Sequence, residues 1–156
     1  MHAIHNRAFH RPPDQERLAY REERDRRRAD IAKFTAQLRA ATALKMPLVY
    51  AALRREAPVV KIGTSRAMPD QPTGGGRFAG GLSSVGLVAL AHGSYAEERQ
   101  IHERLAASRI RMDDLPGTGA TEHFLITDEV VGWINETRVV LGLDPVTVQE
   151  LLKYST

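Results

Sequence analysis

The chain has 156 residues, of which 42% are hydrophobic, and it carries a net charge of +3 and no cysteine. This length fits one ordinary domain with an appendage, and the lack of cysteine excludes disulfides, thiolate metal sites and cysteine nucleophiles. Because no apolar run reaches the ~18 residues of a transmembrane helix and the N-terminus shows no secretory signal, we expect a cytoplasmic protein without membrane contact.

The N-terminal part divides into a tail and a helix. Residues 1–13 lack any period and end in Pro-Pro, which predicts a flexible tail. Residues 14–45 predict a basic helical arm, in which Asp14 is a plausible N-cap and strong helix formers continue without Gly or Pro to about Ala41. A stripe at helical spacing is expected to dock this arm on the rest of the chain; it comprises Ile31, Phe34, Leu38 and Ala41.

Positive charge is concentrated in this arm. Residues 1–42 contain 10 Lys or Arg and 6 Asp or Glu, a net charge of +4. The charged centre is polar all round, so we expect it to face solvent, a protein partner or a polyanion. The candidate DNA-binding residues are Arg24, Arg26, Arg27 and Arg28.

Two short apolar runs, Leu48–Leu53 and Val59–Thr64, flank a charged turn and predict an antiparallel hairpin. Both faces of the first strand are apolar, so we expect cover on both sides. In the second strand Lys61 alternates with apolar neighbours, and strand parity places its side chain on the face of Tyr50. Two interpretations stay open for each residue: Tyr50 is a core tyrosine or a catalytic one, and Lys61 extends to an edge or serves chemistry.

Residues 65–84 break this pattern, since the segment around Gly74–Gly76 is rich in Gly and Pro and predicts a loop. A short helix is predicted from about Arg77 to Ser83, and a third strand follows over Gly86–His92.

Ser94 and Glu97 have the spacing of a capping box, which predicts a helix from this point to about Ser108. Glu98 lies on the same helical stripe as Ile101, His102 and Leu105. A carboxylate turned toward the packed side needs a cation, a metal or hydrogen bonds. Glu98 is therefore either paired with an arginine such as Arg77 or Arg109, or it is a divalent-metal ligand.

The C-terminal third predicts an extended segment and two helices. Glu122–Ile126 is extended, and Thr127 or Asp128 caps a helix that ends at Gly142. A last helix is predicted to start at Asp144-Pro145, with its inward side formed by Val148, Leu151 and Leu152.

Taken in order, these motifs resemble the GIY-YIG nuclease superfamily, and within it a phage-type subgroup whose second motif is KIG. The resemblance covers roughly residues 47–127. Its matching segments are Leu48-Val49-Tyr50, Lys61-Ile62-Gly63 eleven positions later, Glu98-Arg99-Gln100-Ile101-His102, and Glu122-His123-Phe124.

The resemblance implies an α/β (α+β) fold, with a small, mainly antiparallel three-stranded sheet flanked by helices. Residues 46–142 would form the nuclease domain, and residues 143–156 a C-terminal helix packed on it. The implied activity is hydrolysis of a DNA phosphodiester, with Mg²⁺ or Mn²⁺ as cofactor.

The resemblance also implies residue roles. Glu98 would hold the metal, and Tyr50 would orient or deprotonate the attacking water. Because a phenol with a pKa of ~10 is a poor base at neutral pH, Lys61 would supply the neighbouring cation. Arg77, or Arg66 as its rival, would neutralise charge on the phosphate. His102 would transfer a proton or bind the scissile phosphate, or is a packed histidine.

The motifs also depart from the family pattern, because GIY is replaced by Leu48-Val49-Tyr50 and the second tyrosine by Lys61. The alternative hypothesis is therefore a catalytically degenerate module of the same fold. Such a module would act as a DNA-binding protein or as a phage structural or assembly component.

Overall fold

The computed structural model describes residues 14–54, 57–65, 86–110 and 123–155. The elements in chain order are α1 (Asp14–Ala43), β1 (Leu48–Leu53), β2 (Val59–Ser65), β3 (Leu87–His92), α2 (Tyr95–Arg104), β4 (His123–Leu125), α3 (Asp128–Val140) and α4 (Val148–Tyr154). A 3₁₀ turn over Ala106–Ser108 follows α2. The predictions for residues 1–13, the Gly-rich loop, the helix around Arg77, and the residues Arg66 and Glu122 lie outside the described residues.

The strands form one antiparallel sheet in the order β3-β1-β2-β4. The predicted α+β class and the β1–β2 hairpin are confirmed, but the prediction of three strands is wrong. The segment predicted only as extended pairs with β2, where Phe124 lies opposite Val60. The Phe124 side chain is fully buried, so this pairing both completes the sheet and fills the core.

Both faces of the sheet are covered, as the apolar alternation of β1 predicts. We call one side the α1 face, because α1 residues pack there on Leu48, Tyr50 and Ala52 of β1. The opposite side is the α3 face, where α3 residues join Val49 and Ala51 in the larger core cluster. The β1–β2 hairpin is therefore a central layer between two helical layers.

Helix α1 docks through the predicted apolar stripe and through polar contacts that continue toward its N-terminus. Phe34 and Ala41 are buried on the α1 face. One turn before Phe34, Asp30 pairs with Arg138 at 2.7 Å, and further along the helix Glu23 accepts a hydrogen bond from Lys153 at 3.1 Å. The docked part of the arm thus extends further toward the N-terminus than the predicted stripe.

The contact between α1 and α4 also involves Tyr154. The Arg27 guanidinium lies 4.3 Å from the centre of the Tyr154 ring, which is within cation–π range. Burial and a hydrogen bond to Glu23 raise the pKa of Tyr154 to about 12. This phenol therefore stays neutral across the physiological range and keeps its hydrogen for Glu23.

Arg138 of α3 joins four parts of the chain through one buried guanidinium. Its Nε donates to the Asp144 carbonyl at 2.7 Å, Nη1 to the Val88 carbonyl at 3.0 Å, and Nη2 to the Asp30 carboxylate at 2.7 Å. Arg138 is 1% exposed. A buried charge is tolerated when its donors are satisfied in this way.

Both ends of α3 agree with the sequence prediction, whereas the start of α4 differs from it. The Thr127 side chain caps α3, and Gly142 at its end has a φ of +68°, a conformation that favours glycine. Helix α4 begins at Val148 and not at Asp144 as predicted, because the Thr147 hydroxyl caps it by accepting from the Glu150 amide. Within α4 the Leu151 side chain is buried, whereas Leu152, predicted to face inward, is 36% exposed.

None of the helices in the described parts of the chain combines the length and the apolar character that crossing a bilayer requires.

Replacing the buried arginine is expected to destabilise the fold strongly. Arg138→Ala leaves the Asp30 carboxylate and two carbonyls without their partner, so we expect a loss of about 3–5 kcal/mol in the free energy of unfolding. Arg104→Ala is the matched control, because it breaks a 2.6 Å pair with Glu136 between half-exposed side chains and should cost ~0–1 kcal/mol. Urea denaturation followed by the fluorescence of Trp133 measures both, and equal losses would contradict this role.

Candidate functional site

The tripeptide Lys61-Ile62-Gly63 of β2 is contacted by predicted site residues from both faces of the sheet. Its alternate side chains lie on different faces, since Ile62 belongs to the core cluster of the α3 face while Lys61 and Gly63 lie on the face of Tyr50. Ile62 and Gly63 are buried and Lys61 is partly exposed. The three positions therefore differ in the face of the sheet on which they lie and in their burial.

Gly63 accommodates the aromatic ring of Tyr50. The two residues lie opposite each other across β1 and β2. A Cβ built on Gly63 would lie 2.9 Å from the Tyr50 hydroxyl oxygen and 3.1 Å from Cζ. The phenol therefore crosses β2 at the one residue that has no side chain, and Tyr50 itself is fully buried.

Lys61 is the diagonal neighbour of Tyr50 on the same face. It lies opposite Ala52 of β1 and opposite His123 of β4. Diagonal cross-strand neighbours are ~7–8 Å apart, within reach of long side chains. The predicted placement of Tyr50 and Lys61 on one face is confirmed, while their catalytic roles stay predictions.

Glu98 and His102 form a pair on the buried side of α2. Glu98 is 4% and His102 9% exposed, and Glu98 Oε1 lies 3.5 Å from His102 Nε2. The same nitrogen lies 3.0 Å from the Ile62 carbonyl oxygen. Because a carbonyl only accepts, His102 Nε2 carries the hydrogen. The pair is thereby tied to the middle of the KIG tripeptide.

The packing of His102 shows which side of the sheet α2 covers. Its ring centre lies 5.1 Å from that of Phe124, and Ile101 and Leu105 on the same stripe contact the core of the α3 face. The stripe that the sequence predicts for α2 is confirmed. The structure thus brings Tyr50 and Lys61 together on one face of β2 and the Glu98–His102 pair against the other.

The start of α2, and with it the position of Glu98, is set by a capping box. The Ser94 hydroxyl caps the helix, and the Ser94 amide donates to Glu97 Oε2 at 2.6 Å. Gly93 permits close approach of this turn to the sheet, because a Cβ there would lie 3.0 Å from the Val49 side chain. Glu97 is exposed and used by the cap, whereas Glu98 turns inward, as predicted.

Glu98 is the residue that the resemblance implies as ligand of a hard divalent cation. Among the residues that the structure describes, no group of three or more His, Asp or Glu side chains forms a ready metal cage. Mg²⁺ however is commonly bound by one or two carboxylates, with water and substrate phosphates as further ligands. Glu98 is a carboxylate of this kind, but it is 4% exposed, and the His102 nitrogen that faces it carries a hydrogen, so that nitrogen is not a metal donor.

Sequence reasoning missed a contact between Arg54 and His123. Arg54 Nη1 lies 3.1 Å from His123 Nε2, and His123 is 3% exposed. The two residues are 69 positions apart, so only the β1–β2–β4 register brings them together. His123 belongs to the matching segment Glu122-His123-Phe124, but no role was predicted for His123 or Arg54.

The predicted DNA-binding arginines of α1 differ in environment. Three of them are exposed, namely Arg24, Arg26 and Arg28. Arg27 is partly buried and packs over Tyr154, so it also contributes to the contact between α1 and α4. Arg77 lies outside the described residues.

Comparison of the chain with protein-family models, with curated proteins and with solved structures gave no match.

Adding a methyl group at Gly63 is expected to disturb the site and the fold together. Gly63→Ala forces the Tyr50 ring to move, which should cost ~1–3 kcal/mol of unfolding free energy. Gly132→Ala is the control, since nothing lies within 4 Å of its Cβ position and helix propensity favours alanine by up to ~1 kcal/mol. Adding Tyr50→Phe to Gly63→Ala should recover part of the loss, and thermal or urea unfolding that shows no recovery would contradict the clash.

The capping box at the start of α2 makes the stability of the protein depend on pH in the acid range. Hydrogen bonds from the Ser94 side chain and amide lower the pKa of Glu97. A lowered pKa in the folded state means that the contribution is complete above the unfolded value of ~4.3 and is lost as pH falls through the folded value. We expect Glu97→Gln to be less stable than the wild type at pH 7 and to converge with it near pH 3. Unfolding curves across this range measure the effect, and Glu103→Gln, outside the box, should lack this profile.

Proposed function

We propose that the chain is a metal-dependent DNA endonuclease or nicking enzyme that hydrolyses phosphodiester bonds through a GIY-YIG-like site. The observation that supports this proposal is the shared contact with β2. Gly63 receives Tyr50 on one side of the strand, and the Ile62 carbonyl contacts His102, the partner of Glu98, on the other. Groups of the types that phosphodiester hydrolysis needs thus contact one tripeptide, from opposite faces of the sheet.

Each side chain would contribute a distinct step. Glu98 would hold the cation through its carboxylate oxygens, and His102 would keep that carboxylate in position through its bond to Ile62. Tyr50 would orient the attacking water by hydrogen bonding, and Lys61 would bring positive charge to the phosphate. When bound, Mg²⁺ or Mn²⁺ would polarise the phosphate and stabilise charge on the leaving 3′-oxygen. Arg77 is retained from the sequence as the arginine that neutralises the phosphate.

Helix α1 would add affinity that does not depend on DNA sequence. The exposed residues Arg24, Arg26 and Arg28 lie on a helix that is docked to the body, so phosphate contacts made there would act on the same DNA molecule as the site. Such contacts weaken as salt increases. A DNA substrate also accords with the cytoplasmic location that we propose, and the same exposed residues would serve a protein partner.

One observation favours a second candidate function. Tyr50 is fully buried and Glu98 is 4% exposed, whereas a catalytic acid must reach a cation and its substrate. A degenerate module that binds DNA or serves in phage assembly would retain this packing without cleaving. The same experiment separates the two candidates.

We expect purified protein to nick supercoiled plasmid in Mg²⁺ or Mn²⁺ and not in EDTA. Glu98→Gln should reduce the rate at least ~10²-fold, because it removes the carboxylate that holds the cation, and Tyr50→Phe should reduce it by a similar order, because it removes the hydroxyl. The matched controls are Glu103→Gln on the exposed side of α2 and Tyr95→Phe, whose residue is 65% exposed. Both controls should cut at the wild-type rate.

The measurement is the conversion of supercoiled to open-circular plasmid on a gel, together with a shift assay for binding. Binding without cleavage in either metal would refute the nuclease and support the degenerate module. Cleavage that survives Glu98→Gln would refute the assigned site.

A further inference from the structure

A row of nitrogen-bearing side chains crosses the α1 face beside Tyr50. Lys61 of β2 lies directly opposite His123 of β4. Arg54 follows the end of β1, where its amide bonds to the Val59 carbonyl, and its guanidinium reaches His123 at 3.1 Å. The strands β1, β2 and β4, which are neighbours in the sheet, thus bring three polar side chains together.

The contact between Arg54 and His123 determines the protonation state and the tautomer of the His123 imidazole. A guanidinium only donates hydrogen bonds, so His123 Nε2 accepts and the ring is neutral with its hydrogen on Nδ1. The ring is 3% exposed and cannot swing freely. His123 therefore holds the planar fork of Arg54 in a defined direction, and this bond uses one of the five donors of that fork.

The two cations of this group lie on the same face. Arg54 and Lys61 are both partly buried, and both neighbour His123, Arg54 through its 3.1 Å contact and Lys61 as the cross-strand partner. Positive charges that neighbour the same residue and are partly out of water attract an anion. A rigid guanidinium beside an ammonium is well suited to a phosphate, which accepts from both.

We infer that Arg54, Lys61 and His123 form a phosphate subsite, which holds the DNA backbone on the face of the sheet where Tyr50 lies. Arg54 and Lys61 bind the phosphate oxygens, and His123 orients the guanidinium. This subsite rests on the proposed function for the identity of its ligand as DNA. It adds a binding residue, Arg54, and a positioning residue, His123, to the predicted site.

The test measures DNA binding without cleavage. A fluorescent duplex oligonucleotide is titrated with protein in EDTA at several salt concentrations. Arg54→Gln is expected to weaken binding about 5- to 20-fold at low salt and to reduce the salt slope by ~0.9, the value for one phosphate contact. Arg39→Gln, which removes one positive charge from an exposed position of α1, is the matched control and should change affinity less than ~2-fold.

A second measurement does not depend on the variant folding. In wild-type protein, the ring resonances of His123 should shift when the oligonucleotide binds, because the phosphate draws Arg54 toward itself. His92, at the opposite end of the sheet order on β3 and paired with Gln37 at 2.8 Å, should shift much less.

The outcomes separate this inference from the nuclease proposal. If Arg54→Gln binds as tightly as Arg39→Gln, or if His123 is unaffected by DNA, the subsite is refuted. Binding that depends on Arg54 in a protein that never cuts plasmid would keep the subsite and refute the nuclease. If the Arg54→Gln variant binds DNA and cleaves plasmid as well as the wild type, the nuclease proposal stands and the subsite is refuted.

Discussion

The buried guanidinium of Arg138 is the interaction on which the arrangement of the helices depends. Its three hydrogen bonds reach α1, β3 and the turn before α4. Because a buried charge with missing partners is costly, α1 can dock only where Asp30 meets Arg138. That position brings Phe34 onto the α1 face in the cluster that contains Tyr50. The cover over the candidate site is therefore set by an ion pair as well as by apolar contact.

Within this frame, β2 is the strand that connects the site to the core. Ile62 anchors the strand on the α3 face, while its carbonyl meets His102 of α2. Gly63 provides the space that Tyr50 needs, and Lys61 carries charge toward His123 of β4. Changes at any of these positions affect packing and chemistry together. The tripeptide Lys61-Ile62-Gly63 therefore serves both the packing of the sheet and the candidate site.

The charge distribution separates two kinds of polar group. On the α3 side of β2, Glu98 is held by the imidazole of His102, which suits a carboxylate kept for a cation. On the α1 side, Arg54 and Lys61 concentrate positive charge, which suits a phosphate. These are the two kinds of group that phosphodiester hydrolysis needs, but in this fold the sheet lies between them. The burial of Glu98 is also what a protein that retained the fold without the activity would show, and measured cleavage decides between them.

The sequence by itself determined the features that depend on local spacing. The β1–β2 hairpin, the shared face of Tyr50 and Lys61, the Ser94 capping box and the inward direction of Glu98 follow from strand and helix periods or from capping chemistry, and all are present. The contacts between distant segments could be seen only in the folded chain: β4 joins the sheet, His102 contacts the Ile62 carbonyl, and Arg54 contacts His123. These contacts join segments that are far apart in the sequence, and they depend on how buried polar groups find partners. Residue spacing along one element carries no information about such choices, because their energy comes from the other element.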